Sequence, residues 1–113
     1  MIDEQPFQLP RFFRIRQNFP RVREANPAAA IQRELETLGV ASQLKPGQTV
    51  AITVGSRGIA NLPDIVRAMV SFCRQHETQP FIVPSMGSHG GATAEGQEKM
   101  LASLGITEES VGA

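Results

Sequence analysis

The sequence has a single cysteine, so Cys73 cannot close an internal disulfide. It also has no surplus of charge: eleven Lys and Arg are matched by eleven Asp and Glu. A chain whose main task is to coat nucleic acid or an anionic membrane carries a basic excess, so neither partner is expected. No apolar run approaches the roughly 20 residues needed to span a bilayer. The opening stretch MIDEQPFQLP has neither the basic start nor the apolar run of a signal peptide. The expectation is a soluble protein of the reducing cytoplasm. Histidine is scarce as well. His76 and His89 are the only two, and no Cys or carboxylate stands at metal-ligand spacing from His89.

What is present fits one modest core, hence one domain or part of one, since 41% of only 113 residues are hydrophobic. Residues 1–25 form an N-terminal strand region, in which Phe13 and Ile15 alternate with Arg14 and Arg16 as in a half-buried strand with outward cations. Such arginines discourage sheet-to-sheet pairing more often than they bind an anion. Residues 26–113 read as an α/β core. Asn26-Pro27 is an N-cap and first helical residue, and Ala30, Ile31, Leu35 and Leu38 recur at helical spacing up to Gly39. After the Lys45-Pro46-Gly47 turn, TVAITV at 49–54 is rich in β-branched residues and suggests a central parallel strand. Pro63 and Asp64 open a helix to about His76, with Ile65, Val66, Met69, Val70, Phe72 and Cys73 on its apolar face. PFIVP at 80–84 is a second buried strand bounded by prolines. Thr93 caps a helix carrying Met100, Leu101 and Leu104, which Gly105 stops, and a short helix begins near the end of the chain.

Two loops interrupt this pattern, GSRGIAN after the first strand and SMGSHGGAT after the second. Strand, helix and strand with short connections imply a parallel pair, so both loops leave the same edge of the sheet, where open α/β folds bind ligands. In the first loop, glycines permit close backbone approach and Arg57 offers a fork suited to carboxylate or phosphate. In the second, His89 stands among Gly87, Ser88, Gly90 and Gly91 with nothing apolar to pack on; metal ligand, general base and plain loop residue all remain open roles. His76 reads as an exposed residue favourable to a helix dipole, and Cys73 as a small core residue. A dinucleotide-binding turn competes, because ITVGSRGIA looks like the glycine-rich turn of short-chain dehydrogenases. Ala60 replaces its third glycine, and no acid closes the second strand. A third reading takes both loops as simple turns of a non-catalytic module.

Together, VAITVGSRGIANLPDIVRAM and PFIVPSMGSHGGATAEGQEKML resemble the N-terminal region of the nickel-dependent lactate racemase family, over roughly residues 10–113. Residues 54–58 stand where that family has a D-H-T-R-P type motif and residues 87–91 where it has G-T-H-R-P. The resemblance implies an α/β fold with a parallel sheet and flanking helices, the N-terminal part of a larger two-domain protein. It implies racemisation or epimerisation of a 2-hydroxy acid by hydride transfer to a nickel-pincer nucleotide, with histidine bases. His89 would be one base. Arg57, with Ser56, Gly55, Gly87 and Ser88, would bind substrate or cofactor, and the nickel ligands would lie outside this chain. Val54 replaces the family's aspartate, and Gly90-Gly91 its arginine-proline, so another 2-hydroxy acid or a sugar acid is as suitable a substrate as lactate. The end at ESVGA suggests an N-terminal fragment or a truncated reading frame, inactive alone.

Overall fold

The computed structural model describes residues 11–20, 23–56 and 58–113. They form a mixed α/β fold in which helices flank a two-stranded parallel sheet. Helix α1 (Pro27–Thr37) starts where expected, because the Asn26 side chain accepts a hydrogen bond from the Ala29 N–H at 3.1 Å. Its apolar stripe is less covered than the spacing implies: Leu35 is half-buried and Leu38 is 70% exposed. Apart from the 3-10 turn at Val40–Gln43 that follows it, α1 packs on α2 alone among the described elements, and one such neighbour covers a narrow stripe.

Strand β1 (Thr49–Val54) leads through the first glycine loop to α2 (Leu62–Gln75), and β2 (Gln79–Pro84) returns parallel to β1, with Thr49 opposite Gln79 and Val54 opposite Pro84. α2 buries Leu62, Val66, Val70 and Cys73, the i, i+4, i+8, i+11 stripe of one helical face. That stripe meets Ile52 and Val54 of β1. Burying a side chain of this size contributes roughly 1.5–3 kcal/mol, so α2 is the main organiser of the core. The helix ends in a Schellman arrangement: the Glu77 N–H reaches the Arg74 carbonyl at 3.0 Å and the Thr78 N–H reaches that of Cys73 at 3.1 Å. Glu77 itself is left-handed, with φ 55°, where glycine would be the commoner choice.

Neither strand is buried on both faces. Val50, Ile52 and Val54 turn towards α2, while Thr49, Ala51 and Thr53 are exposed, as is Phe81 of β2 at 47%. The alternation that period two imposes is visible because, among the described residues, only one face of the sheet carries a helix layer over β1. The expected N-terminal strand region, residues 1–25, also differs where it is described: residues 11–20 have no ladder partner among the described residues and leave Phe13 and Ile15 each 82% exposed, while residues 1–10 and 21–22 lie outside the described residues. Alternation alone does not make a strand; a neighbouring edge must satisfy its backbone.

The C-terminal elements, α3 (Ala94–Ser103) and α4 (Glu108–Val111), close the core with Leu101, Ile106 and Val111. α4 is a single turn, yet it is fastened. A reciprocal capping box joins Thr107 and Ser110, and the Arg67 Nε of α2 donates to the Ser110 carbonyl at 2.8 Å. Arg74 donates to the Gly112 carbonyl. Among the described residues no helix is long and apolar enough to cross a membrane.

Candidate functional site

Both glycine-rich loops leave the carboxyl ends of the paired strands, as the parallel order requires. The ladder continues one step past the strands, because the Ser85 N–H donates to the Val54 carbonyl at 2.7 Å. The two loops therefore begin side by side. Gly55 lies against Ser85, and a Cβ at this position would stand 3.4 Å from the Ser85 carbonyl oxygen, in ordinary contact. One residue later in the second loop, Met86 turns inward and is buried among the core residues. It anchors the loop from below.

Beyond that anchor the chain turns sharply. Gly87 is left-handed, with φ 59°, its carbonyl accepts from Gln97 Nε2 at 2.7 Å, and the His89 N–H donates to the Met86 carbonyl at 3.3 Å. Gly90, Gly91 and Ala92 follow with φ of 64°, 70° and 56°, three consecutive left-handed residues, before Thr93 resumes an extended conformation. Thr93 serves both sides of this bend, since its Oγ1 donates to the Gly90 carbonyl at 3.2 Å and accepts the Gly96 N–H at 3.0 Å. Gly90 lies directly on the first turn of α3. A Cβ on Gly96 would fall 1.8 Å from the Gly90 oxygen, so two glycines facing each other let the loop rest on the helix backbone.

The result is a fixed position for His89. It is half-buried, and its Nδ1 lies 2.5 Å from Ser56 Oγ of the first loop, a hydrogen bond that joins residues 33 apart in sequence. Gly55, Ser56 and Ile59 on one side and residues 85–89 on the other line a cleft of about 460 Å³. Gly55, Ser56, Gly87, Ser88 and His89 thus share one cavity; Arg57 lies outside the described residues. No carboxylate is among the described residues of this lining, so an anionic ligand meets serine hydroxyls and an imidazole without a like charge facing it.

His76 belongs elsewhere. It is half-buried rather than exposed, with its ring centroid 4.5 Å from that of Phe72 and its Nδ1–H donating to the Phe72 carbonyl at 2.8 Å. This bond to an orphan carbonyl of the last helical turn is a structural role. Cys73 is buried, as its place on the α2 stripe implies, and burial pushes its thiol pKa up against a smaller opposing effect from the Thr78 hydroxyl. A larger groove, about 550 Å³, lies beside β2, with Phe81, Ile82, Leu101 and Ile106 in its wall. Size does not make it the better candidate, because its titratable residues are the carboxylates Glu98 and Glu108 and it holds no base paired to a hydroxyl.

The sequence motifs lead to His89 and Ser56 separately, but three supporting residues escape them: Met86, Gln97 and Gly96. Gly96 alone carries a local signal, since glycine in the first turn of a helix costs about 1 kcal/mol relative to alanine and marks a close approach. Compared with protein-family models, with curated proteins and with solved structures, the chain matches none.

Proposed function

We propose that this chain is the N-terminal part of a larger two-domain racemase or epimerase of the reducing cytoplasm, acting on a 2-hydroxy acid or sugar acid, in which His89 moves the hydroxyl proton. One observation carries the reading: two glycine-rich loops meet over the carboxyl ends of two parallel strands, and the imidazole of one is held at 2.5 Å by the hydroxyl of the other. A 2-hydroxy acid presents a carboxylate beside a secondary alcohol. The carboxylate requires donors, which Ser56 and Ser88 supply from the cleft wall and Arg57 from the same loop. The alcohol requires a base, and an imidazole exchanges protons near neutral pH without extreme tuning. Inversion of the carbon requires a second base on the opposite face. Among the described residues His89 is the only histidine at the cleft, so the second base belongs to another part of the protein.

The nickel-pincer nucleotide that the sequence resemblance implies meets a chemical test in the donor set. The described residues contain no group of three His, Cys, Asp or Glu side chains placed to hold a metal. The nickel ligands are assigned to another part of the protein, and the role of this chain is limited to binding the acid and moving its hydroxyl proton. The open face of the two-stranded sheet supports a larger protein, because parallel sheets are ordinarily covered on both sides.

The test is His89→Ala in the complete, cofactor-loaded enzyme. Racemisation should fall about 100-fold or more, the usual worth of a positioned base, with thermal stability and cofactor content unchanged. Near-normal turnover would remove His89 from the reaction, and loss of nickel together with activity would recast it as a cofactor-site residue.

A further inference from the structure

The two histidines differ in what faces Nδ1. At His76 the partner is a backbone carbonyl, which only accepts, so Nδ1 must carry the ring proton. At His89 the partner is a serine hydroxyl, which can donate or accept. The direction of that one bond decides the chemistry of the ring. If Ser56 donates, the Nδ1 lone pair is occupied and Nε2 carries the proton, so neither nitrogen is free to accept one. If Ser56 accepts, Nδ1 is protonated and Nε2 holds the free lone pair.

We infer that Ser56 is a positioning residue for His89: its oxygen accepts the Nδ1–H, which fixes the ring and leaves Nε2 as the nitrogen that exchanges protons with the ligand. The inference rests on the reading of His89 as a base. Two features of the site support this direction. The same bond survives when Nε2 gains a proton, because Nδ1–H remains a donor in the imidazolium, so the ring need not turn over during a proton-transfer cycle. A serine whose oxygen accepts also keeps its own O–H free, and Ser56 lines the cleft, where that proton can be given to an oxygen of an anionic ligand. Ser56 then links the two halves of the task, with one hydroxyl aligning the base and meeting the acid. The loop geometry makes the arrangement stable, since Met86 in the core, Gln97 on the Gly87 carbonyl and the Gly90–Gly96 contact hold His89 where the Ser56 oxygen can reach it.

The experiment is a two-bond proton–nitrogen correlation spectrum of the 113-residue chain, labelled with ¹⁵N-histidine and recorded at alkaline pH, where the rings are neutral. His76 is the internal reference for the Nδ1–H form. His89 should show the Nδ1–H form in the wild type and in Ser56→Thr, and change to the Nε2–H form, which free histidine prefers, in Ser56→Ala. A wild-type His89 in the Nε2–H form, or one whose tautomer is the same in Ser56→Ala, would overturn the inference. In the complete enzyme, Ser56→Ala should lower kcat roughly 10-fold, the order expected when a functional imidazole loses its outer partner. A rise in KM with kcat unchanged would mark Ser56 as a ligand contact alone and count against it. The spectrum does not depend on turnover, so a tautomer result as expected alongside full activity of His89→Ala would leave the Ser56 contact standing and remove the racemase reading.

Discussion

A guanidinium and an ammonium carry the same charge in different shapes, and that difference makes Arg57 testable. If the GSRG loop grips a carboxylate or phosphate through paired hydrogen bonds, Arg57→Lys should weaken binding of the hydroxy acid or of the cofactor roughly 10-fold or more, because a lysine cannot reproduce a planar fork. Calorimetry on the complete protein measures this, and equal affinities would return the loop to a simple turn. The residue scale also shows how far the sequence can be read. His89 among glycines is conspicuous, since nothing near it in sequence gives an imidazole something to pack on. Its hydrogen bond to Ser56 is not legible in the same way: it joins residues 33 apart and depends on how two loops bend. His76 shows the converse, a histidine placed by sequence on a helix end but given its ring contact with Phe72 only by the turn of the helix.

At the scale of elements, α3 sets two ordinary rules against each other at Gly96. Helix propensity says that Gly96→Ala should stabilise the protein by about 1 kcal/mol. Packing says the opposite, because the new Cβ would fall 1.8 Å from the Gly90 oxygen, and a backbone cannot give way as the end of a flexible side chain can. We expect packing to win: Gly96→Ala should destabilise the protein by about 2 kcal/mol or more in urea unfolding and push His89 away from Ser56. A stabilised variant would mean that the second loop does not rest on α3. The elements themselves were readable where local chemistry is strong, as in the Asn26 cap, the Pro63-Asp64 opening of α2 and the β-branched run of β1. Residues 11–20 were not, for the strand pattern in RFFRIR says which side chains could share a face and nothing about whether an edge is there to pair with.

At the scale of the whole molecule, Cys73 lets the folded state be followed through its protons. Burial raises its folded pKa, so the native chain holds the thiol proton more firmly than the unfolded chain does. The stability linked to it is complete below the unfolded value, about 8.5, and is lost as pH rises from there through the folded value. Unfolding midpoints should therefore fall above about pH 8.5 more steeply for the wild type than for Cys73→Ala. Parallel curves would show that the thiol is not protected by the fold. The same whole-molecule view gives the parallel sheet a meaning beyond support. β1 and β2 pair residue for residue, from Thr49 with Gln79 to Val54 with Pro84, and Ser56 and His89 are carried just past those ends. A strand advances about 3.3 Å per residue, and the smallest slip that keeps the same side chains towards α2 is two residues, or about 6.6 Å. Such a slip would separate a hydroxyl and an imidazole that now stand 2.5 Å apart. The ladder is in this sense the ruler of the site: an insertion or deletion that re-registers the two strands, even one far from either glycine loop, changes the distance between base and partner while leaving every residue of the cleft in place.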